Sequence, residues 1–301
     1  QMNDNTVAFI GAGNMARCVI AAMVRAGYPA QNIIAANRSQ PKLTALAADF
    51  GIQTTLDNVE AVTKADVIVL AVKPQMMQEL CEALISAAPE IAEKLFVTLA
   101  AGITVARYQQ WLGNVRLVRA MPNTPSLVGL GVTGLLPQGC SNYEKAFVDH
   151  MFSGTGMNVW LDNEAQIDHV IAVTGSSPAY FFFFMQAMQQ VAEQLGFDAA
   201  QAKKMVAQTA LGAATMALDS DHSFADLAGV RVSAHCVIFR NGLVRQYVPF
   251  HYRAWHAGVS EFNGQPNCND FSIGIELEGT EHLPYTDMQY QSLVLLTRQL
   301  M

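Results

Sequence analysis

A glycine turn near the start of the sequence holds the residue types best suited to chemistry. The apolar run Val7–Ile10 breaks into Gly11-Ala12-Gly13-Asn14-Met15-Ala16, a Gly-x-Gly-x-x-Ala pattern followed by helical spacing. A strand that ends in such a turn and opens a helix points free backbone N–H groups at one spot, where the helix dipole also favours an anion. Gly11 permits the turn, Gly13 lets the backbone approach phosphates, and Ala16 lets the helix lie close to the strand. The pattern predicts a seat for a dinucleotide pyrophosphate, with an ordinary strand–turn–helix as the alternative.

The end of the second expected strand bears on the choice of nucleotide. This strand, over residues 32–36, ends in Asn37-Arg38-Ser39. In sites for NAD an acidic residue here usually binds the ribose 2′-hydroxyl, whereas an arginine with small polar neighbours suits a 2′-phosphate. No acidic residue is present, so the sequence favours NADPH, with NADH as the alternative. The other interpretation of Arg38 is a solvated charge on a loop.

Two further strand ends complete the expected cofactor crevice. Ala65–Val72 is apolar almost throughout, as in a parallel strand covered on both faces, and it ends in Lys73-Pro74. Ligands of doubly wound sheets bind at the carboxyl ends of the strands, so we expect Ala71, Val72 and Lys73 to line the crevice, together with Pro74. By position alone, Lys73 could also be a surface lysine at a turn. The strand 95–99 ends in Ala100-Ala101-Gly102, small residues that permit a ring to lie against the backbone.

These residues must be positioned by strands and helices that alternate as far as Leu161. Such alternation is the signature of an α/β fold with a doubly wound, Rossmann-type parallel sheet. We therefore expect a dinucleotide-binding domain over residues 1–163. Its last strands include 115–120, which leads into a loop made rigid by Pro122 and Pro125.

From Glu164 onward the apolar spacing becomes helical, which predicts a helical segment over residues 164–228. A first helix has one broad apolar face, and a second, from the cap Asp198 to about Asp219, carries alanines that let helices approach closely. Plain core is the default interpretation. However, two helices beside a sheet domain cannot hide this much apolar surface, so we expect a homodimer or a higher homo-oligomer. The apolar face consists of Phe181, Phe184, Met185, Met188, Val191, Ala192 and Leu195.

Composition limits the classes of function. The 301 residues are 51% hydrophobic and carry a formal net charge of −7, and no basic stripe indicates a nucleic-acid partner. The five cysteines are widely spaced without a Cys-x-x-Cys pair, which favours a reducing compartment. The longest apolar run, Ala179–Met185, is too short to span a bilayer. We therefore expect a cytoplasmic protein with no membrane partner.

Five motifs follow one another along the chain: Val7–Ala16, Ala71–Pro74, Leu99–Ile103, Arg119–Pro125 and Thr174–Tyr180. In this order and spacing the sequence resembles the pyrroline-5-carboxylate reductase family, continuously to about Leu227. The resemblance implies NAD(P)H-dependent reduction of a cyclic imine, 1-pyrroline-5-carboxylate, to L-proline. A protonated imine already accepts hydride well, so such a site needs orientation and exclusion of water more than a strong acid.

The resemblance also implies which residues approach the cofactor and the substrate. Positions that contact the cofactor in the family are matched by Asn58, Lys73 and Ala101. Residues expected beside the nicotinamide are Asn123 and Thr124. Further candidates near the substrate are Ser176, Ser177 and Asp221.

One of these residues departs from the family and another has a second interpretation. Ser177 departs mildly from the family, which usually has a glycine there. Asp221 could equally be a solvated residue at a helix end, as acidic side chains commonly are. In the family the helical region forms an interwoven dimer, and the imine binds where this region meets the nicotinamide.

The sequence changes character after Ala225-Asp226-Leu227. The reductase family would continue with a serine-proline-glycine-glycine-threonine loop that binds the carboxylate of the imine, followed by two more helices. This chain instead continues with a β pattern over residues 231–240, and Asn241-Gly242 is a strong hairpin signal. We therefore expect a domain boundary near residue 228.

The residues from about Gly229 to Met301 resemble a central section of the cytoplasmic N-acetylmuramyl-L-alanine amidase family. The resemblance implies a short α+β amidase-like fragment in which Glu276 matches the catalytic glutamate of the family. The matching stretches are Val232–Cys236, Gln246–Phe250, Arg253–Gly258 and Cys268–Gly279.

The amidase family holds zinc with two histidines and an aspartate, leaving one position for water. The resemblance implies that the first ligand precedes the matched section and that the other two follow it, so we expect no metal site in this chain. The histidines of the fragment do not match ligand positions and are expected to be structural or on the surface. They are His235, His251, His256 and His282.

The sequence supports three hypotheses of function. The first is a pyrroline-5-carboxylate reductase with a complete cofactor domain, impaired by the loss of the carboxylate-binding loop. The second is a non-catalytic chimera that binds NADPH. The third, which has the least support, is a zinc-dependent amidase.

Overall fold

The computed structural model describes residues 2–228, 234–254, 256, 260–279 and 283–301. The chain divides into two compact units, Gln1–Ala187 and Met188–Met301. The division falls inside the helical segment expected over residues 164–228.

The first unit is built on a sheet of eight strands. They are β1 (Val7–Ile10), β2 (Ile33–Ala36), β3 (Gln53–Thr55), β4 (Val67–Leu70), β5 (Leu95–Thr98), β6 (Arg116–Met121), β7 (Gly131–Gln138) and β8 (Gly156–Trp160). Their spatial order is β3-β2-β1-β4-β5-β6-β7-β8. Strands β1 to β6 are parallel, which confirms the expected doubly wound sheet, and the strand order reverses between β1 and β4.

The last two strands run against the rest, which the sequence did not predict. Strand β7 is antiparallel to β6, and β8 is parallel to β7. Only a 3₁₀ turn, Thr124–Val128, and a few flanking residues separate β6 from β7. A parallel connection needs a crossover of a dozen or more residues, so a chain with this short link returns antiparallel to its neighbour.

Helices cover both faces of this sheet. They are α1 (Asn14–Arg25), α2 (Gln40–Phe50), α3 (Asn58–Lys64), α4 (Pro74–Ala87), α5 (Val105–Leu112), α6 (Asn142–Phe152) and α7 (Ala165–Val170). Helix α8 (Ser177–Gln194) follows them and has no buried residue. Strand β1 is fully buried and its side chains alternate between the faces. Ala8 and Ile10 belong to the core under α3, α4 and α5, and Val7 and Phe9 to the core under α1, α2 and α6. Burial on both faces explains the continuous apolar strands.

The helices at the end of the first unit form one long stretch. A π-helical turn, Ile171–Gly175, joins α7 to α8. Among the described residues, Ala165–Gln194 is the one helical stretch long and apolar enough to cross a membrane, by length and composition only. The expectation from Ala179–Met185 counted only an uninterrupted apolar run, whereas the flanking residues 170–178 and 186–192 are partly apolar and carry no Asp, Glu, Lys or Arg. None of its apolar window is buried in the single chain, so it does not resemble a core helix, but one such helix is only weak evidence for a membrane.

The second unit contains two more helices before its strands. Helix α9 (Ala199–Leu218) begins after Asp198, whose carboxylate accepts a hydrogen bond from the backbone N–H of Gln201 at 2.9 Å. This confirms the cap and the end expected near Asp219. Helix α10 (Phe224–Ala228) follows.

The amidase-like residues form small sheets and one helix. The elements are β9 (Cys236–Ile238), β10 (Val244–Gln246), β11 (Glu261–Phe262), β12 (Gln265–Pro266), β13 (Ile275–Leu277) and α11 (Asp287–Leu300). Strands β9 and β10 form the expected hairpin, with Gly242 at a φ of +80° in its turn. Strand β13 lies parallel to β9. Val232 and Ser233, at the start of the expected strand, lie outside the described residues.

Candidate active site

The glycine turn is held between the ends of two neighbouring strands. The N–H of Gly11 donates to the carbonyl of Ala36 at 2.8 Å, and the N–H of Ala71 donates to the carbonyl of Ile10 at 2.8 Å. Gly11 has a φ of +106°, and a Cβ there would lie 2.6 Å from the carbonyl oxygen of Ala71. Gly11 is therefore needed both for its backbone conformation and for the close approach of β4.

Helix α1 begins at this turn with its amino end open. Gly13 is the N-cap and no side chain accepts from the first backbone N–H groups, among the described residues. These N–H groups, on Asn14, Met15 and Ala16, have no partner inside the helix because they belong to its first turn. A Cβ on Gly13 would meet no atom within 4 Å, and Ala16 is buried against the sheet. The space above the turn and the free donors fit an anion.

A second open helix end lies beside Arg38. Ser39 is the N-cap of α2 and makes no side-chain capping bond. Asn37 is half-buried, and its N–H donates to the carbonyl of Thr55 at 3.4 Å. Arg38 is exposed, and within the described parts of the chain no ion pair is found for it. The guanidinium is therefore free to take an anionic ligand.

Strand β4 ends at a third helix terminus of this kind. Lys73 is the exposed N-cap of α4, which has Pro74 in its first turn and no side-chain cap. Ala71 is half-buried at the strand end. Asn58, by contrast, begins α3, whose N-cap Asp57 accepts from the backbone N–H of Val59 at 2.8 Å. Asn58 thus follows a helix terminus that is already capped.

The end of β5 is fixed by a buried pair of hydroxyl groups. Thr98 Oγ1 lies 2.5 Å from the hydroxyl of Tyr108 and accepts from the N–H of Ala100 at 3.3 Å. Burial raises the pKa of Tyr108 to about 12, against a lowering by the hydrogen bond to Thr98, so the phenol stays neutral. The pair holds the start of the turn in which Ala101 is exposed.

The loop after β6 contains two of the expected site residues, one buried and the other exposed. Asn123 is buried, and both polar atoms of its side chain bond to backbone groups. Thr124 is exposed. Ser176 is exposed just after the π-helical turn, and the Ser177 hydroxyl donates to the carbonyl of Val173. Of these side chains, those of Thr124 and Ser176 are the exposed ones.

An ion pair between a buried arginine and a half-exposed glutamate was not predicted from the sequence. Arg119 on β6 is buried and bonds to the carboxylate of Glu164, which also accepts from the N–H of Val105 at 2.6 Å. Arg119 Nε has no hydrogen-bond partner among the described residues. The available signal was an arginine inside an otherwise apolar strand, since a charge covered on both faces needs a partner.

Two predicted residues lie in the second unit. Asp221 is exposed after α9. Glu276 is exposed on β13. Among the described residues no group of three or more His, Cys, Asp or Glu side chains could hold a metal ion.

The histidines of the amidase-like part make backbone contacts. His235 is buried; its Nδ1 accepts from the N–H of Gly274 at 3.0 Å, and its Nε2 lies 2.9 Å from the carbonyl of Tyr252. His256 Nε2 lies 3.3 Å from the carbonyl of Ser272. The expectation of structural histidines is consistent with these contacts, while His282 lies outside the described residues.

Comparison with known proteins identifies the first part of the chain. Residues 6–102 match the family model described as NADP oxidoreductase coenzyme F420-dependent. A pyrroline-5-carboxylate reductase of Vibrio alginolyticus is 47% identical over 221 residues, covering 73% of this chain and 80% of the relative. The chain belongs to the pyrroline-5-carboxylate reductase family. The structure of a reductase of this name from Coxiella burnetii, at 40% identity, gives a TM-score of 0.71 and covers 74% of this chain and 83% of that one.

The second part of the chain is similar to an amidase. Residues 199–301 match the family model of N-acetylmuramoyl-L-alanine amidase. The 1,6-anhydro-N-acetylmuramyl-L-alanine amidase AmpD of Escherichia coli (strain K12) is 65% identical over 77 residues, which is 26% of this chain and 42% of the relative. The chain therefore joins a reductase to an amidase-type segment that spans less than half the length of this relative.

Proposed function

We propose that this protein reduces 1-pyrroline-5-carboxylate to L-proline with hydride from NADPH. Membership of the reductase family is the observation that carries the proposal. The carboxyl ends of β1, β2 and β4, which we call the cofactor edge, support it. Helices α1, α2 and α4 begin there without a side-chain cap, and Arg38 beside them has no ion pair among the described residues.

The residues of the first unit divide the work of binding the cofactor. The N–H groups at the start of α1 hold the pyrophosphate, where the helix dipole favours negative charge. Arg38 and the open end of α2 hold the 2′-phosphate, which gives NADPH preference over NADH. Ala71, Lys73 and Ala101 line the groove toward the nicotinamide.

Catalysis in this site rests on orientation. NADPH, when bound, supplies the hydride, and the protonated imine accepts it without a strong acid. The protein's task is to hold the two reactants in contact and exclude water. Thr124, Ser176 and Ser177 are the residues that we assign to the substrate side.

The substrate side is the weaker half of the site. After Leu227 the chain does not continue with the loop that the reductase family uses for the imine carboxylate. We therefore expect the KM for the imine to be high, or kcat to be low, while the affinity for NADPH is retained.

The proposal is tested by two measurements on the full chain. NADPH binding is followed by the change in nicotinamide fluorescence, and turnover by NADPH oxidation in the presence of the imine. Binding with oxidation supports the reductase. Binding without oxidation supports the alternative, a non-catalytic NADPH-binding chimera, and no binding contradicts both.

The amidase-like segment suggests a second function with less support. Its similarity to AmpD-type amidases is high, and Glu276 is the residue that would take part. An amidase would retain one zinc per chain after dialysis and release peptide from an anhydromuropeptide. We expect neither result.

We further propose three regions: 1–163 for the cofactor, 164–228 for the substrate and for dimerisation, and 229–301 as the amidase-like fragment. The protein is proposed to be a cytoplasmic homodimer. A second copy, rather than a membrane, would cover the exposed side chains of Tyr180–Phe184.

A further inference from the structure

Both polar atoms of the Asn123 side chain bond to backbone groups of other segments. Its Nδ2 donates to the carbonyl of Thr174 at 3.0 Å, and its Oδ1 accepts from the N–H of Val132 at 2.8 Å. Asn123 itself is about nine-tenths buried. It therefore ties the end of β6 to the start of β7 and to the π-helical turn, 51 residues further along the chain.

The π-helical turn needs such partners. A π-helical turn interrupts the regular hydrogen-bond ladder, so side chains are needed to satisfy some of its carbonyls. The Thr174 hydroxyl donates to the carbonyl of Val170 at 2.7 Å, and that of Ser177 donates to Val173. Both donors belong to the same helical stretch. Asn123 comes from the sheet, so its bond fixes the turn relative to the cofactor edge.

The position of Asn123 is fixed from its other side by Gly131. A Cβ on Gly131 would lie 2.8 Å from Asn123 Oδ1 and 2.1 Å from Ser126 Oγ. Only a residue without a side chain leaves room for this arrangement at the first position of β7. Asn123 is thus held in one place before any ligand binds.

We propose that Asn123 is a positioning residue, which holds the π-helical turn against the sheet and so sets where Ser176 and Ser177 lie relative to the nicotinamide. This inference rests on the proposed reductase function. It differs from the expectation that Asn123 acts by lying beside the nicotinamide, because both polar atoms of its side chain already bond to backbone groups. The proposed pyrophosphate site at Gly11–Ala16 does not depend on the hydrogen bond between Asn123 and Thr174.

The variant Asn123→Asp tests the tie with little change in shape. It removes the donor to Thr174 and keeps an acceptor for the N–H of Val132. Misplacing reacting groups by 1 Å can cost on the order of 100-fold, so we expect kcat to fall by about 10- to 100-fold. The Kd for NADPH should change by less than about threefold, because no cofactor contact is lost.

The matched control is Asn32→Asp. Asn32 Nδ2 also donates to a backbone carbonyl, that of Asn3, at 2.8 Å, but it lies at the amino end of β2. The same chemical change there should leave kcat within about threefold of the wild type.

A pH profile separates positioning from general destabilisation. When the new carboxyl of Asn123→Asp is protonated, it regains one O–H donor for the Thr174 carbonyl. The ratio of variant to wild-type kcat should therefore rise as the pH falls from 8 toward 6 (roughly the range in which a carboxyl beside a carbonyl gains protons). A ratio of variant to wild-type kcat that does not change with pH contradicts a role for the hydrogen bond from Asn123 to Thr174.

Hydrogen exchange tests the hydrogen bond from Asn123 to Thr174 without substrate. Backbone amides of residues 171–177 should exchange faster in Asn123→Asp than in the wild type or in Asn32→Asp. If the wild type does not oxidise NADPH with the imine, the proposed function fails. In that case, exchange rates that are the same in Asn123→Asp and in the wild type would separately overturn the positioning role of the hydrogen bond from Asn123 to Thr174.

In an active wild type, two results overturn the positioning role. One is an unchanged kcat in Asn123→Asp, and the other is a loss of NADPH affinity as large as the loss in kcat. Should Asn123→Asp be insoluble, Asn123→Ala replaces it, since it adds no charge. Insolubility of both variants assigns the bonds to folding and also overturns the proposal.

Discussion

Gly11 and Gly13 lie two residues apart in one turn and need glycine for different reasons. Gly11 has a φ of +106° and approaches the Ala71 carbonyl, so Gly11→Ala should lower the free energy of unfolding by about 2–3 kcal/mol. Thermal unfolding measures this loss. An unchanged melting temperature would contradict the close approach.

Gly13→Ala is the matched substitution. A Cβ at Gly13 meets no atom within 4 Å, so we expect the stability to stay within about 0.5 kcal/mol of the wild type. The methyl group would occupy the space of the pyrophosphate, and NADPH affinity should fall roughly tenfold or more. Fluorescence titration measures the affinity. Equal NADPH affinity of the variant and the wild type would place the pyrophosphate elsewhere.

Arg38→Ala should affect NADPH and NADH differently. The guanidinium offers charge-assisted hydrogen bonds to a 2′-phosphate, so the Kd for NADPH should rise by about 10- to 100-fold. The Kd for NADH should hardly change. The control is Arg25→Ala, since Arg25 is exposed in the last turn of α1, away from the glycine turn. Equal losses for both cofactors would remove Arg38 from the 2′-phosphate site.

Single residues in contiguous motifs could be predicted from the sequence, and those in long-range pairs could not. The glycine turn was predictable because one strand, one turn and one helix are adjacent in the chain. Glu164 and Arg119 are 45 residues apart, and Asn123 and Thr174 are 51 apart, so no local pattern links them. Asn123 was singled out by its motif, but its contacts could be found only from the fold.

At the scale of elements, the helices differ in whether a side chain caps their amino end. Helices α3, α5 and α6 are capped by the side chains of Asp57, Thr104 and Ser141. Within the described part of the chain, four helices have no side-chain cap: α7, which follows the edge strand β8, and three others, α1, α2 and α4. The three open ends follow β1, β2 and β4, the strands on either side of the point where the order reverses. Ligands of doubly wound sheets bind at this point.

Helix α6 gives a prediction for acid stability. Burial would raise the pKa of Glu144, but hydrogen bonds from the Ser141 backbone N–H and from Arg116, together with the charge of Arg116, lower it overall. A group whose pKa is lowered in the folded state stabilises the protein above its unfolded pKa, near 4.5, and loses this effect as the pH falls through the folded pKa.

Glu144→Gln should therefore be destabilised at neutral pH and not in acid. The glutamine keeps the capping geometry and loses the ion pair, which costs about 1 kcal/mol at pH 7. The difference from the wild type should shrink as the pH falls below about 4.5. Urea unfolding at several pH values measures it. A difference that is constant with pH would contradict an ionic origin.

Helices and strands could be predicted from the sequence where the residues of a face share one polarity. Strands β1, β4 and β5 are apolar because both faces are buried, and α9 begins with a capping aspartate. The direction of β7 and the π-helical turn were not predictable. Both depend on how short links connect neighbouring elements, and residue periodicity carries no information about that.

At the scale of the whole molecule, we expect a second copy of the chain to cover the exposed aromatic side chains of α8. Tyr180–Phe184 are each more than 60% exposed in the single chain. We expect the wild type to sediment with twice the mass of one chain. Phe183→Asp should shift it toward the monomer, because a charge in an apolar interface is left without a partner.

The control for this prediction is Leu295→Asp. Leu295 is also an exposed apolar residue, but it lies on α11 in the amidase-like part. Its substitution should leave the mass in solution unchanged. A wild type that sediments as a monomer, or that needs detergent to stay in solution, would contradict the proposed dimer.

The order of strands in the large sheet has a consequence for synthesis. Strand β1 emerges first from the ribosome, β2 and β3 then add on one side, and β4 to β8 add in turn on the other. No strand has to be inserted between two that are already paired. Domains fold as units during synthesis, the amino-terminal one first. The cofactor sheet can therefore close before the amidase-like residues are translated, so a nascent chain stalled after β8 should already resist proteolysis.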